Sequence, residues 1–113
     1  MHVLLCDDDA LLRAIVGDQL RDLGHEVELA VDGLQALELL KQKSFDAAIL
    51  DFLMPKKSGL EVFKELKTWP KRPRVILLFA ISPKSLPALK DAQPDAVLEK
   101  PVKPKALEKA LNP

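Results

Sequence analysis

The amino-acid sequence predicts a doubly wound α/β domain with a five-stranded parallel sheet and helices on both faces. Two observations support this fold class. Five short apolar segments alternate along the chain with segments whose apolar residues recur at helical spacing. The short segments are hydrophobic at nearly every position, as in parallel strands that are buried on both faces. Right-handed crossovers between such units produce the doubly wound arrangement.

The composition is that of a single domain spanning residues 1–113, with 48% hydrophobic residues. Lys+Arg and Asp+Glu both number 17, which argues against general nucleic-acid binding. The single cysteine, Cys6, excludes an intrachain disulfide and is expected to be a packed core thiol. The sequence shows no signal peptide and no membrane-length apolar run. We therefore expect a cytoplasmic protein without a membrane contact.

The first half of the chain contains three predicted strands and two predicted helices. The strands are HVLLC, EVELAV and FDAAILD, and the helices are ALLRAIVGDQLRDLG and GLQALELLKQK. The inward stripes of the two helices are Leu12, Ile15, Val16, Gln19, Leu20 and Leu23 in the first, and Ala36, Leu37 and Leu40 in the second. Asp9 and Asp32 are predicted to cap the starts of these helices, and Gly24 is predicted to end the first.

The second half continues the alternation. Ser58 or Gly59 is predicted to start the helix LEVFKELK, which is expected to bury Val62, Phe63 and Leu66. RVILLFA and AVLEK are the remaining strands, and KPKALEKAL is a final helix with Pro104 near its first turn. The segment between those strands, SPKSLPALKDA, predicts a short or irregular helix, because proline in a helix interior costs about 3 kcal/mol.

Acidic residues follow two of the predicted strands. Asp7 and Asp8 come after the first strand, Asp51 ends the third, and Lys100 ends the fifth. Ligands of open α/β sheets bind outside the carboxyl ends of the strands, so these side chains are expected to meet if the first and third strands are neighbours. Three carboxylates indicate a hard divalent cation, and a carboxylate can serve as the nucleophile in phosphoryl transfer. The alternative is an acidic helix-capping cluster beside a solvated lysine.

Three sequence pieces carry a resemblance to a known family. They are VLLCDDD, AAILDFLMPKKSGLEV and VLEKPV, and in the middle piece Asp51, Met54, Pro55 and Gly59 stand at the family's spacing. Over nearly its whole length, the chain resembles the receiver domain of bacterial response regulators in two-component signalling. The resemblance implies the flavodoxin-like receiver fold with strand order 2-1-3-4-5.

The resemblance also implies a role for each residue of the acidic site. Asp51 is similar to the family's phosphoacceptor. The implied ligands of Mg²⁺ (or Mn²⁺) are Asp7, Asp8, Asp51 and the backbone carbonyl of Leu53. Lys100 and the backbone N–H of Ala80 are the implied phosphoryl-binding groups, and the Lys100–Pro101 bond is expected to be cis.

The resemblance further implies the partners and the reaction. The phosphodonor is expected to be a sensor histidine kinase or a histidine phosphotransfer protein, and the downstream target is an unidentified protein. Direct binding of nucleic acid is not expected. The domain is not expected to be an enzyme, because it catalyses only its own phosphorylation and dephosphorylation.

Two positions depart from the family's pattern. Phe79 stands where the family usually has Thr or Ser, and Val97 stands where it tends to have an aromatic residue. These departures leave open a pseudo-receiver that docks proteins without switching by phosphate. An aspartyl-nucleophile phosphatase ranks last, because such enzymes usually need a second acid where this chain has Leu53. Phe79 is expected to point inward toward Val97.

Overall fold

Parallel strands form one sheet with helices on both sides in the computed structural model, which describes residues 1–80 and 92–113. The strands are β1 (His2–Cys6), β2 (Glu26–Ala30), β3 (Ala47–Asp51), β4 (Arg74–Phe79) and β5 (Ala96–Glu99). The helices of the described part are α1 (Ala10–Asp22), α2 (Gly33–Gln42), α3 (Gly59–Leu66) and α4 (Pro104–Leu111). The helix predicted over 82–92 lies outside the described residues except for its last position, Ala92.

The sheet has the order β2-β1-β3-β4-β5, with every neighbouring pair parallel, which confirms the predicted fold class. The register between β1 and β3 pairs Cys6 with Leu50. Asp7 therefore follows β1 at the level where Asp51 ends β3. The sheet thus brings the acids of two distant chain segments to one edge.

Two apolar clusters cover the two faces of the sheet. Alternate residues of each central strand point into one cluster or the other, as Leu77 and Leu78 of β4 do. One cluster packs against α2 and α3, and the other packs against α1 and α4. Each fully buried leucine contributes roughly 1.5–3 kcal/mol to the stability of the folded state, relative to an exposed leucine. Because the central strands are covered on both faces, their carboxyl ends form a rigid platform for the loops that follow.

The helix starts are capped as the sequence predicts. The Asp9 carboxylate accepts the N–H groups of Leu11 and Leu12 at 3.0 and 3.3 Å. Asp32 caps α2, and Ser58 caps α3 in a capping box with Glu61. Gly24 has φ +92 just beyond α1, a conformation that glycine adopts without strain.

The predicted inward stripe of α1 is wrong at Ile15, which is 47% exposed. The buried positions of this helix are Val16, Gly17 and Leu20. Gly17 faces Leu29 of β2, so α1 approaches the sheet along a face centred closer to Gly17. Ile15 lies at the margin of the stripe and stays in solvent. The buried faces predicted for α2 and α3 are confirmed.

The loop between β3 and α3 packs closely against its surroundings at two glycines. A Cβ on Gly59 would lie 2.3 Å from the carbonyl oxygen of Asp51, and one on Gly33 would lie 2.2 Å from that of Lys57. Only glycine permits these approaches. They hold the loop after Asp51 against the start of α2.

No helix within residues 1–80 and 92–113 has both the length and the apolar character needed to cross a membrane.

Candidate functional site

Three carboxylates meet at the carboxyl edge of the sheet. Asp7 and Asp8 follow β1, and Asp51 ends β3. One oxygen from each carboxylate lies within 4.8 Å of the other two. Asp7 and Asp51 are buried and Asp8 is exposed, so the cluster opens to solvent on one side. The strand register brings these acids together as the sequence predicts.

The lysine that follows β5 faces two of these acids. Lys100 Nζ lies 3.1 Å from Asp7 Oδ2 and 3.1 Å from Asp51 Oδ1. Its backbone N–H donates to the carbonyl oxygen of Phe79 at 2.9 Å, which ties the end of β5 to β4. The Lys100–Pro101 peptide bond is cis, as predicted. Lys100 is the cation that stabilises the paired carboxylates across the crevice.

The two carboxylate oxygens of Asp7 differ in their hydrogen bonding. Its Oδ1 accepts the N–H of Asp9 at 2.9 Å, and Arg13 Nη1 donates to its backbone carbonyl at 2.6 Å. Its Oδ2 is buried and, within the described residues, receives no well-directed hydrogen bond, although Lys100 Nζ is close. A bound cation can stabilise a buried acceptor that lacks a hydrogen-bond donor.

The pKa values record the crowding of negative charge. Burial, followed by the charge of Asp7, raises the pKa of Asp51 to about 6, and Lys100 only partly offsets this rise. Burial opposes the charge on Lys100, but its contacts with Asp51 and then Asp7 outweigh burial and raise the pKa of the ammonium. Burial and neighbouring acids also raise the pKa of the Cys6 thiol to about 12. The crevice therefore favours the binding of positive charge.

The donor set of the crevice fits a hard divalent cation. All three side chains offer carboxylate oxygens, which Mg²⁺ and Mn²⁺ prefer. The exposed Asp8 leaves an open side on which waters or a phosphate can complete the coordination. Leu53 lies two residues after Asp51 and lines the same crevice, and the role of its carbonyl stays a prediction.

A cavity of about 140 Å³ lies beside Asp51. Its lining consists of Asp51, Phe52, Leu53, Phe79, Ala80 and Lys100. The family resemblance implies a phosphoryl position bounded by Lys100 and Ala80, and both residues border this cavity. The cavity provides space next to the carboxylate for a small group.

The two departures from the family's pattern lie on one face of the sheet. Phe79 is buried, at 4% exposure, in the apolar cluster of α2 and α3, and Val97 packs against the same cluster. The burial of Phe79 confirms that its ring points inward, and the expected direction toward Val97 stays a prediction. The residue also borders the cavity beside Asp51, so it belongs to the core and to the crevice wall at once.

The sequence-based interpretation missed several contacts that support the site. The Arg13 contact with the Asp7 carbonyl was not anticipated, because an arginine in the first half of an amphipathic helix carries no distinguishing signal. Cys6, predicted as a core thiol, is buried, with its Sγ 3.1 Å from the carbonyl oxygen of Asp32 and 3.2 Å from Met54 Sδ. These contacts join β1 to the start of α2 and the loop after β3.

A 2-1-3-4-5 parallel sheet with three acids and a lysine at its carboxyl edge defines a receiver-type α/β domain. The profile of the response regulator receiver domain matches residues 3–112, and the chain belongs to this family of two-component signalling domains. The family resemblance inferred from the sequence is therefore confirmed.

Individual relatives agree with the family assignment. The chain is 38% identical over 112 residues to the response regulator MprA of Mycobacterium leprae (strain TN), a match that covers 98% of this chain and 48% of that protein. The chain thus spans about half the length of the curated relatives it matches. The same identity and comparable coverage are found with MprA of Mycobacterium avium (strain 104).

Solved structures share the fold. The chemotaxis response regulator CheY4 of Vibrio cholerae superposes with a TM-score of 0.88 at 34% identity, covering 97% of this chain and 94% of that one. The receiver domain of the sensor histidine kinase PA1611 from Pseudomonas aeruginosa PAO1 superposes with a TM-score of 0.84 at 26% identity, covering 97% and 93%. That structure has a magnesium ion coordinated in its active site cleft.

Proposed function

We propose that residues 1–113 form one phosphoaccepting receiver domain, in which Asp51 takes a phosphoryl group with the help of Mg²⁺ (or Mn²⁺). The observation that carries this proposal is the crevice itself. Three carboxylate oxygens lie within 4.8 Å of one another, and Lys100 Nζ lies 3.1 Å from two of the three acids. Repulsion among clustered carboxylates destabilises the folded protein unless a bound cation offsets it, so such a cluster indicates a binding site.

In the proposed step, an oxygen of the Asp51 carboxylate attacks the phosphorus of a phosphohistidine. The O–P bond forms as the N–P bond breaks, and its electron pair returns to the imidazole nitrogen. Lys100 exchanges part of its contact with Asp51 for a contact with the incoming phosphoryl oxygens. The N–H of Ala80 donates to another of these oxygens. The cavity of about 140 Å³ beside Asp51 supplies the space.

The metal ligands in this proposal are Asp7, Asp8, Asp51 and the Leu53 carbonyl. A divalent cation there neutralises charge on the phosphoryl oxygens. Asp7 Oδ2, buried without a well-directed donor among the described residues, supports its presence. The magnesium ion in the PA1611 receiver domain supports the same assignment by analogy.

The phosphodonor in this proposal is a sensor histidine kinase or a histidine phosphotransfer protein, and phosphorylation alters a contact with a downstream protein. The domain turns over no external substrate. The proposal places it in the cytoplasm without membrane or nucleic-acid contact, in keeping with its equal numbers of acidic and basic residues.

The test is exposure of the purified chain to acetyl phosphate and Mg²⁺, followed by intact mass measurement. We expect one phosphoryl group on the native protein and none on Asp51→Asn. Asp9→Asn is the matched control, because Asp9 caps α1 and belongs to neither the metal nor the phosphoryl site. A native protein that gains no phosphoryl group refutes the proposal.

A pseudo-receiver is the second candidate function, and the burial of Phe79 favours it. The Phe79 ring has no N–H or O–H group to donate to a phosphoryl oxygen, and Val97 packs against the same apolar cluster. This candidate predicts that acetyl phosphate does not phosphorylate the protein and that beryllofluoride does not bind in the crevice. An aspartyl-nucleophile phosphatase is disfavoured, since Leu53 stands where its second acid is needed.

A further inference from the structure

A second cavity, of about 320 Å³, opens at the amino edge of the sheet, at the opposite end of β3 from Asp51. It lies between two connections, the one from α2 to β3 and the one from α3 to β4, which supply most of its lining. Pockets for small molecules usually measure about 300–1,000 Å³, so this cavity has room for a small ligand. Its described lining includes no residue of the proposed phosphorylation site.

The buried part of the lining is apolar and aromatic. Leu40 and Phe45 are 7% and 9% exposed. Trp69 is partly buried, packs against the apolar cluster of α2 and α3, and also lines the cavity. An indole offers a large flat face on which another planar ring can stack. This part of the cavity therefore favours a planar apolar group.

The rest of the lining is rich in positive charge. Lys43, Lys71 and Arg72 contribute three cations, and Asp46 contributes one carboxylate. Carboxylates outside the lining hold two of the cations in place, because Lys43 and Arg72 each have an ion pair at 2.7 Å, with Glu28 and Asp95. Lys71 is exposed and forms no ion pair within the described residues. An anionic group at this cavity would find Lys71 available as its partner.

The connection from α2 to β3 is held in place by the first strand. The backbone N–H of His2 donates to Asp46 Oδ2 at 2.7 Å, so the one carboxylate of the lining already accepts a hydrogen bond. The His2 ring stacks on Phe45 with 4.4 Å between ring centroids. The N–H of Arg74 donates to the Asp46 carbonyl at 3.1 Å, which joins the two connections. A ligand would thus enter a site whose shape is already set, which lowers the entropic cost of binding.

We propose that this cavity binds a small planar anion, with its ring against Trp69 and its charged group beside Lys71. The ligand is an aromatic carboxylate or a nucleoside phosphate, which share a flat ring and an anionic group. The inference goes beyond the proposed function, because it gives the domain a small-molecule site that does not involve Asp51.

The test is an NMR titration of the isotopically labelled native chain in buffer without divalent metal ions. Trp69 is the only tryptophan, so a single indole N–H signal reports on the site, together with the amide signals of residues 43–46. The probes are adenosine 5′-monophosphate and 2-naphthoate; adenosine lacks the anion, and inorganic phosphate lacks the ring. We expect saturable shifts with at least one of the two anions, which should bind about fivefold more tightly than adenosine or inorganic phosphate.

Lys71→Ala is the decisive variant, because it removes an exposed cation without disturbing the core. It should weaken binding of the anion about fivefold and leave adenosine unaffected. Lys64→Ala is the matched control, since Lys64 is an exposed lysine in the last turn of α3 and lies outside the lining.

Trp69→Leu tests the stacking surface and should weaken binding of the anion by about fivefold or more, as followed by the amide signals of residues 43–46. Trp69 packs against the core, so a thermal melt establishes whether this variant is folded. Lys71→Ala tests the site independently of that result.

The outcomes identify the ligand class or overturn the inference. Tighter binding of adenosine 5′-monophosphate assigns a nucleoside phosphate, and tighter binding of 2-naphthoate assigns an aromatic carboxylate. If neither anion shifts the signals of the site, or if Lys71→Ala and Lys64→Ala bind the anion equally well, the inference is overturned. Neither result affects the proposed function, because acetyl phosphate is expected to react at the opposite edge of the sheet.

Discussion

The two edges of the sheet differ in how their charged side chains are arranged. Toward the amino edge, opposite charges are paired: Arg72 contacts Asp95 at 2.7 Å, and Glu28, midway along β2, contacts both His2 and Lys43. At the carboxyl edge, three carboxylates cluster, and one lysine contacts two of them. The same strands carry both arrangements, so the difference comes from the residues placed at their ends.

The pKa values show the contrast directly. At the amino edge, the hydrogen bond from Lys43 lowers the pKa of Glu28, and contacts with Arg72 and the Val75 N–H lower that of Asp95 despite burial. At the carboxyl edge, burial and Asp7 raise the pKa of Asp51 to about 6. The ion pairs toward the amino edge stabilise the fold. The carboxyl edge retains negative charge that a ligand can neutralise.

The largest expected effect concerns Phe79, which is buried in the core and also lines the cavity beside Asp51. Phe79→Thr should lower the free energy of unfolding by about 3 kcal/mol, because it removes a buried ring and leaves a cavity. Chemical denaturation measures this loss. The new hydroxyl should also enlarge the amide chemical-shift changes that beryllofluoride produces beyond β4. Large changes there in the native protein would mean that a relay without this hydroxyl already exists.

The second prediction breaks the pairing at the amino edge. Asp95 accepts from Arg72 and from the Val75 N–H, both at 2.7 Å, so Asp95→Ala leaves two donors without their partner. We expect a loss of about 2 kcal/mol in the free energy of unfolding. Asp95→Asn keeps an acceptor for Val75 and should lose clearly less. Equal losses in the two variants would show that the hydrogen bond to Val75 contributes nothing.

The third prediction concerns neutralisation of the carboxylates at the carboxyl edge by Mg²⁺. Mg²⁺ at ten times its dissociation constant should stabilise the native protein by about 1.4 kcal/mol, since it binds the folded crevice and not the unfolded chain. Thermal melts with and without millimolar Mg²⁺ measure this gain. Asp8→Asn should abolish it, whereas Asp9→Asn should retain it. A melting temperature indifferent to Mg²⁺ in the native protein would contradict the metal site.

The smallest effect is expected from the titration of Asp51. Its pKa rises from the ordinary 3.8 of an aspartic acid side chain to about 6 in the folded protein. Unfolding therefore releases a proton between these pH values, and native stability falls as pH rises through that window. At pH 7 without metal, Asp51→Asn should be more stable than the native protein by about 1 kcal/mol, a typical gain when a functional residue is removed. This difference should vanish near pH 4. Denaturation at both pH values measures it, and a constant difference would exclude Asp51 as its source.

The sequence predicts the crevice better than it predicts the amino edge. Asp7, Asp51 and Lys100 stand at strand ends, and the strand order of a doubly wound sheet converts those positions into proximity. The pair of Arg72 and Asp95 has no such rule, because the two residues are 23 positions apart and precede different strands. Their contact depends on side-chain conformations that appear only once the sheet is assembled.

Helix faces are intermediate in predictability. In α2, spacing identifies Ala36, Leu37 and Leu40 and omits only the buried Gly33, whereas in α1 it includes the exposed Ile15 and omits Gly17. Periodicity finds the apolar side of a helix, but the approach to the sheet decides which margin of that side is covered. Gly17 lies beside Leu29 on the buried side of α1, and a glycine contributes no apolar signal to the pattern.

The ratio of acids to lysine in the crevice has a consequence for ionic valence. With Asp7, Asp8 and Asp51 ionised and Lys100 protonated, two negative charges remain uncompensated. A divalent ion restores electroneutrality, a monovalent ion leaves half of the imbalance, and a trivalent ion reverses its sign. On charge alone, we therefore expect the crevice to favour a divalent ion over potassium or sodium.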